Sequence, residues 1–547
     1  MIPELINLRL TFVLMKYLIS ILPVFFSLAV TSFATDNYPK SNNIDVQKYY
    51  FNIYLSDSCD LVNGEAFINI LHRGKSSEIN LDLVDLNKNQ EGMVVERVLF
   101  DGKRVFWEHK NKSLFIKFDT EKDEGDKSIL MVKYSGIPAD GLIISENMFG
   151  ERTFFSDNWP DRARNWIPCV DHPYDKARVE FIVNAPGVYT VVSNGRLIKE
   201  TPIKDGRKIT HWKEDVPIPT KVMVIGVAKF SSQLAGTVKG IDVWTYVFPD
   251  NMEAGFRDYS VATEPLRYYS DVIGEYPYEK LANVQSKTMF GGMENAGCIF
   301  YSEKSVTGKN RMERLMAHEI AHQWFGNSVT EYDWHHIWLS EGFATYFTSC
   351  YMEDRYGMAA MESLMNVSRQ RVIKAFENAP LPVIDTTVTD FMKLLNINSY
   401  QKGSWVLHML RDELGDKVFF SGIRRYYSRF KDRNVLSSDF RGIMETVSKR
   451  DLGKFFDQWL IQPSIPVLAL EWEYSPGRKE TIINVVQEQD KYIFDIPLEI
   501  EIVYGGRKLR KKVRIDEQHE EIIIKTRRQP VELTLDPDVK LLFINAN

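Results

Sequence analysis

Cysteine is scarce. Only four occur in the 547 residues, at Cys59, Cys169, Cys298 and Cys350, and no two form a CxxC pair, which argues against a cysteine-built zinc site. The usual burial of cysteine favours free, buried thiols, with a single disulfide as the alternative in an oxidising compartment. Basic runs are missing as well. With 68 Lys+Arg against 74 Asp+Glu the formal net charge is −6, so nucleic acid is not an expected partner. No internal repeat or low-complexity linker marks the chain, and beyond its start no stretch is apolar enough to span a bilayer. The one extended apolar run, Tyr17 to Val30, follows Lys16 and leads into Ser32 and Ala34, small residues suited to signal-peptidase cleavage after Ala34. Met15 offers an alternative start with a Met-Lys n-region. A leader over residues 1–34 is therefore expected, giving an exported protein, periplasmic or secreted, with no stable membrane insertion after cleavage; an uncleaved anchor is the alternative.

What is present is ordinary globular material: 44% hydrophobic and 26% charged residues, with 32 Phe and 25 Tyr to fill cores. At roughly 150 residues per domain the length suggests three or four domains. From about Asp45 to Phe248 the pattern is one of strands. Phe51 to Leu55, Ala66 to Ile70, Val94 to Phe100 and Leu114 to Phe118 are short, β-branched or aromatic, and punctuated by turns such as Asp101-Gly102 and Asn194-Gly195. Helical patterning then covers Met252 to Ile273, Arg311 to Gly326, Glu341 to Tyr356, Met358 to Asn378, Gln401 to Leu414 and Ser437 to Arg450. Strands return after Gln462-Pro463. The reading is a multidomain α+β protein: an N-terminal antiparallel β-domain over residues 35–248, a mainly helical domain over 249–462, and a small β-sandwich over 463–547.

The helical block carries His318-Glu319-Ile320-Ala321-His322. On a helix, positions i and i+4 share a face, so both imidazoles can address one ion, while Glu319 is placed to deprotonate a metal-bound water. Glu341 follows His322 by nineteen positions, near the start of a second helix that Ser340 is positioned to cap. Two histidines and one glutamate leave a coordination position open, the catalytic arrangement of Zn²⁺ rather than the structural one. His335 and His336 are neighbours in sequence and cannot both aim at one metal from a regular element, so they read as loop or supporting residues.

The spacing His318-Glu319-x-x-His322 followed by Glu341, together with Trp324-Phe-Gly-Asn327 and Trp338-Leu-Ser-Glu-Gly-Phe-Ala344, resembles the gluzincin aminopeptidases, the family of aminopeptidase N and leukotriene hydrolase. The resemblance implies a thermolysin-like catalytic domain, one zinc per chain held by His318, His322 and Glu341, Glu319 as general base, and peptides with free N-termini as substrates. It extends to Gly291-Gly292-Met293-Glu294-Asn295, similar to the family's Gly-Ala-Met-Glu-Asn with Gly292 in place of Ala. By that likeness the segment is an edge strand beside the cleft, Glu294 binds the substrate ammonium, and the backbone of Gly291 and Gly292 holds the substrate main chain. Tyr400, within Tyr400-Gln-Lys-Gly403, matches the family's Tyr-Glu-Lys-Gly and would donate to the oxyanion. Arg162 to Pro173 resembles a family segment ending in Pro-Cys-x-Asp-x-Pro. Nine residues before its Pro168, where many members place Gln or Glu as a second amino-group ligand, stands Trp159, so neighbouring Asn158 or Asp157 is the expected substitute. Since the chain ends in strands, the family's large C-terminal helical domain is expected to be absent.

Overall fold

The computed structural model describes residues 36–546; the expected leader over residues 1–34 lies outside them. Strand formation in the N-terminal part follows the alternation of its side chains. Along Val62–His72, Val62, Ala66, Ile68 and Ile70 face inward while Asn63 and Asn69 face solvent. This strand lies within an eight-stranded sheet that includes Ile44–Tyr54, Ala177–Pro186 and Arg207–Ile218. The sheet departs from the expected antiparallel arrangement at one seam, because Ile44–Tyr54 pairs in parallel with Ala177–Pro186. The two strands are far apart in sequence, which a parallel crossover requires and local patterning does not reveal. A three-stranded and a four-stranded sheet complete this part.

The central block is less purely helical than its periodicity suggests. A five-stranded sheet runs in the order Ser231–Val238, Ile241–Val247, Lys280–Ser286, Cys298–Ser302, Gly292–Met293. Two of these strands precede the boundary drawn at 248/249, so hydrogen bonding carries this sheet across that line. Lys280–Ser286 is buried along its whole length and therefore lacks the alternation by which half-exposed strands are recognised. The expected helix over 252–273 is interrupted at Ser260–Ala262, and a further helix, Asp416–Phe430, joins those expected. The central helix is Trp338–Tyr356. It buries residues around most of its circumference, from Trp338 through Tyr351, and ends at Gly357. No described helix is long and apolar enough to cross a membrane.

At the C-terminus a four-stranded and a three-stranded sheet stack through Ile483, Val485, Leu498, Ile500, Ile502 and Ile515, the expected sandwich. It is anchored on the helices by the Arg369–Asp536 ion pair and by His408 Nε2 donating to the Val539 carbonyl at 2.9 Å. All four cysteines are free thiols; Cys169, Cys298 and Cys350 are buried and Cys59 is exposed.

Candidate functional site

Helix Glu313–Ala321 presents His318 one turn before His322, which stands at its C-terminal cap. Glu341 arrives from the first turn of Trp338–Tyr356. The donor atoms form a triangle: His318 Nε2 to His322 Nε2 is 3.1 Å, His322 Nε2 to Glu341 Oε2 is 3.2 Å, and His318 Nε2 to Glu341 Oε2 is 3.4 Å. Ligands about 2.0–2.1 Å from a tetrahedral zinc stand roughly 3.3–3.4 Å apart, so the three atoms already have the spacing of three corners. They form one group able to hold a metal ion.

Neighbouring groups prepare these donors. His322 Nδ1 lies 3.1 Å from the Phe325 carbonyl, which can only accept, so Nδ1 carries a proton and Nε2 is the atom that faces the triangle. Ser340 Oγ lies 3.0 Å from the same Nδ1. Ser340 is therefore not the expected helix cap: the helix begins at Trp338, placing Ser340 inside its first turn against the imidazole. Burial disfavours a charged imidazole at both histidines. At His322 the Glu341 carboxylate outweighs this and lifts the group to about 9, whereas His318 stays below its ordinary value. Burial also opposes charge on Glu341, yet His322 and His318 hold its carboxyl well below the usual range. Two imidazoles and a carboxylate whose donor atoms converge on one point suit zinc. His335 and His336 are elsewhere. His335 Nε2 donates to the Val388 carbonyl at 3.0 Å, and His336 Nδ1 meets Ser437 Oγ at 2.7 Å.

Glu319 sits beside the triangle without joining it. Burial raises its carboxyl well above the ordinary value, against the pull of His322 and with help from Glu294 and Glu341. It packs against Gly292 so closely that a Cβ there would run into the carboxylate. Gly292–Met293 is the outermost strand of its sheet and, among the described residues, is paired on one side only, with Cys298–Ser302. Its other edge is free for an extended chain, as the resemblance implies. Glu294 follows immediately, and its Oε1 is buried with no hydrogen-bond partner. Two residues not singled out by sequence fix its backbone: Gln323 Nε2 and Asn327 Nδ2 donate to the Glu294 carbonyl at 2.9 and 2.7 Å. Their signal was the text flanking the second histidine.

Tyr400 belongs to a π-helical turn, Asn398–Lys402, that precedes helix Gly403–Leu414. Its ring lies nearly parallel to that of His318, with centroids 6.0 Å apart. Burial, then the carboxylates of Glu341, Glu294 and Glu319, keep its hydroxyl protonated well beyond the ordinary range, hence a donor.

Asn158 does not reach the cleft. Its Nδ2 donates to the Thr220 and Met223 carbonyls at 3.1 and 2.7 Å and its Oδ1 accepts from Trp166 Nε1 at 2.9 Å, which turns the buried amide away from the cleft lining. Asp157 Oδ2 accepts from Thr288 Oγ1 and Met289 N, both at 3.0 Å, while its Oδ1 makes no hydrogen bond and has only the Arg162 ion pair at 2.9 Å. Trp159 itself lines the cleft, with Phe290, Met293 and Leu395.

Comparison with known proteins agrees with this geometry. The peptidase family M1 domain is matched over residues 258–459 and the peptidase M1 N-terminal domain over residues 45–222. The probable aminopeptidase 2 of Sulfurisphaera tokodaii is 27% identical over 476 residues, covering 81% of this chain and 58% of that protein. The chain thus spans a little under three-fifths of the length of that curated relative. Among solved structures, Legionella pneumophila aminopeptidase A in complex with aspartic acid shares the fold with a TM-score of 0.81 at 18% identity, over 94% of this chain and 61% of that one. An M1 zinc metallopeptidase from Deinococcus radiodurans gives 0.66 at 24% identity, over 78% and 95%.

Proposed function

Because the chain belongs to the peptidase M1 family, we propose that it is a zinc aminopeptidase that removes residues one at a time from the free N-termini of peptides. One observation carries this reading: beside the metal triangle, next to an open strand edge, Glu294 holds a buried carboxylate oxygen with no partner. A substrate ammonium supplies that partner, and a mid-chain amide does not.

His318, His322 and Glu341 would hold the zinc. When bound there, zinc polarises a water and the scissile carbonyl. The residues supply the rest. Glu319, which lines the cleft beside the triangle without joining it, takes the proton of the attacking water and passes it to the leaving amine. Tyr400 donates its hydroxyl hydrogen to the carbonyl oxygen as that oxygen gains charge. Glu294 fixes the ammonium, and the free edge of Gly292–Met293 aligns the backbone.

Aminoacyl fluorogenic substrates test the proposal. Purified protein should carry about one zinc per chain, following the ligand count. A chelator should abolish hydrolysis and added zinc restore it; full activity in metal-free protein would overturn the reading.

A further inference from the structure

We propose that Trp159 determines which N-terminal side chains this site accepts, by walling the pocket that receives them, and that the pocket selects uncharged apolar side chains over acidic ones. The inference rests on the aminopeptidase reading above.

The polar side of the cleft is fully assigned to the metal triangle, Glu319, Tyr400 and Glu294. What remains of its lining is apolar: Trp159, Phe290 and Leu395, from three distant segments, with Met293. A substrate whose ammonium meets Glu294 and whose carbonyl meets the triangle has its first Cα between the two. Its side chain must leave toward the wall not already occupied by the chemistry, which is this apolar one.

Charge then decides between substrate classes. The lining contains three carboxylates, Glu294, Glu319 and Glu341, and no Lys or Arg. The Arg162 guanidinium lies 6.0 Å from the Phe290 ring centre but outside the lining, and its charge is matched: Nε donates to the Trp159 carbonyl at 2.7 Å, Nη1 to Asp140 at 3.0 Å, and Nη2 forms an ion pair with Asp157 at 2.9 Å. An acidic side chain would therefore be desolvated against the apolar wall with no Lys or Arg in the lining to pair with it.

Packing sets the size limit. Trp159 is 2% exposed. Its ring stands edge-on to Phe290 at 6.1 Å and to Trp334 at 5.5 Å, and Trp334 is backed by Phe391, stacked at 5.4 Å. Held on these sides, the indole cannot swing away for a larger guest. Its Nε1 has no hydrogen-bond partner, so the ring is kept in place by packing, and phenylalanine is the conservative replacement.

The test is kcat/KM of zinc-loaded enzyme on Ala, Leu, Phe and Glu aminoacyl amides, for the parent, Trp159→Ala, Trp159→Phe and Leu395→Ala, with zinc content and Tm measured alongside. The parent should favour Leu over Glu by about a hundredfold, the scale at which a site rejects an uncompensated group. Trp159→Ala should raise the Phe:Ala ratio by roughly tenfold, the effect of a changed apolar wall, with zinc content unchanged. Should that variant fail to fold, Trp159→Phe and the half-buried Leu395→Ala carry the test by shifting the same ratio in the same direction. A parent that prefers Glu, or a Phe:Ala ratio indifferent to all three substitutions, would overturn the proposal. Absence of cleavage of every free-amine substrate would instead refute the aminopeptidase reading beneath it.

Discussion

Glu319 and Glu341 are buried carboxylates in one cleft, and in the proposed mechanism their surroundings divide the work between them. Two imidazoles hold Glu341 ionised, as a ligand must be, whereas burial without such pairing raises Glu319's affinity for protons. Glu319→Gln should keep its zinc and lose about a hundred- to ten-thousand-fold in kcat, the usual contribution of a general base. Glu341→Ala should lose the zinc itself. Metal analysis beside kinetics checks both, and release of zinc by Glu319→Gln would exchange the roles. The convergence of His318, His322 and Glu341 was legible in the sequence because metal chemistry demands fixed types at fixed helical spacings. Asn158 was misplaced for the opposite reason. Proximity to Trp159 in the chain says nothing about direction, and the Thr220 and Met223 carbonyls that claim its amide are some sixty positions away. Ser340 was misassigned because the helix starts two residues earlier, and helix starts are set by tertiary contacts as much as by caps.

At the scale of elements, the site depends on how closely two helices cross. Trp338–Tyr356 carries Glu341, and the turn before Gly403–Leu414 carries Tyr400. They meet at Gly342 and Gly403, where a Cβ on Gly342 would stand 3.0 Å from the Gly403 carbonyl carbon. Glycine at both positions permits an approach that side chains would prevent. Gly342→Val should therefore cost about 1–3 kcal/mol, typical of overpacking, and lower kcat as Tyr400 is displaced. Urea denaturation with parallel kinetics checks this; an unchanged midpoint would show that the crossing tolerates bulk. The helices themselves were readable from apolar periodicity. The strand Lys280–Ser286 was not, because complete burial removes alternation, and the parallel pairing of Ile44–Tyr54 with Ala177–Pro186 left no local trace.

For the whole molecule, the order of β-rich, helical and β-sandwich regions followed from composition and period, while the sheet crossing the 248/249 line did not. Global stability should depend on pH through groups remote from the site. Asp175 is buried, its Oδ1 accepts from Val46 N at 3.3 Å, and its Oδ2 has no partner. Burial, with Asp45 nearby, pushes its carboxyl up to about 8. A folded-state value above the unfolded one means a contribution fully present below about pH 4 and lost as pH rises through about 8. Tm should thus fall between pH 5 and 9, and Asp175→Asn should flatten that fall. Parallel Tm profiles for parent and variant would contradict the assignment.

The central claim is that Glu294 makes this metal site an exopeptidase. The most direct measurement compares hydrolysis of a free-amine leucyl substrate with its N-acetyl counterpart, in the parent and in Glu294→Ala at equal zinc content. Acetylation should nearly abolish cleavage by the parent, because the amide leaves the Glu294 carboxylate buried and unpaired. Loss of one charged hydrogen bond, roughly 1.5–3 kcal/mol, should lower the variant's kcat/KM on the free amine by about ten- to a hundredfold and remove much of its preference. Equal cleavage of both substrates by the parent would contradict the account.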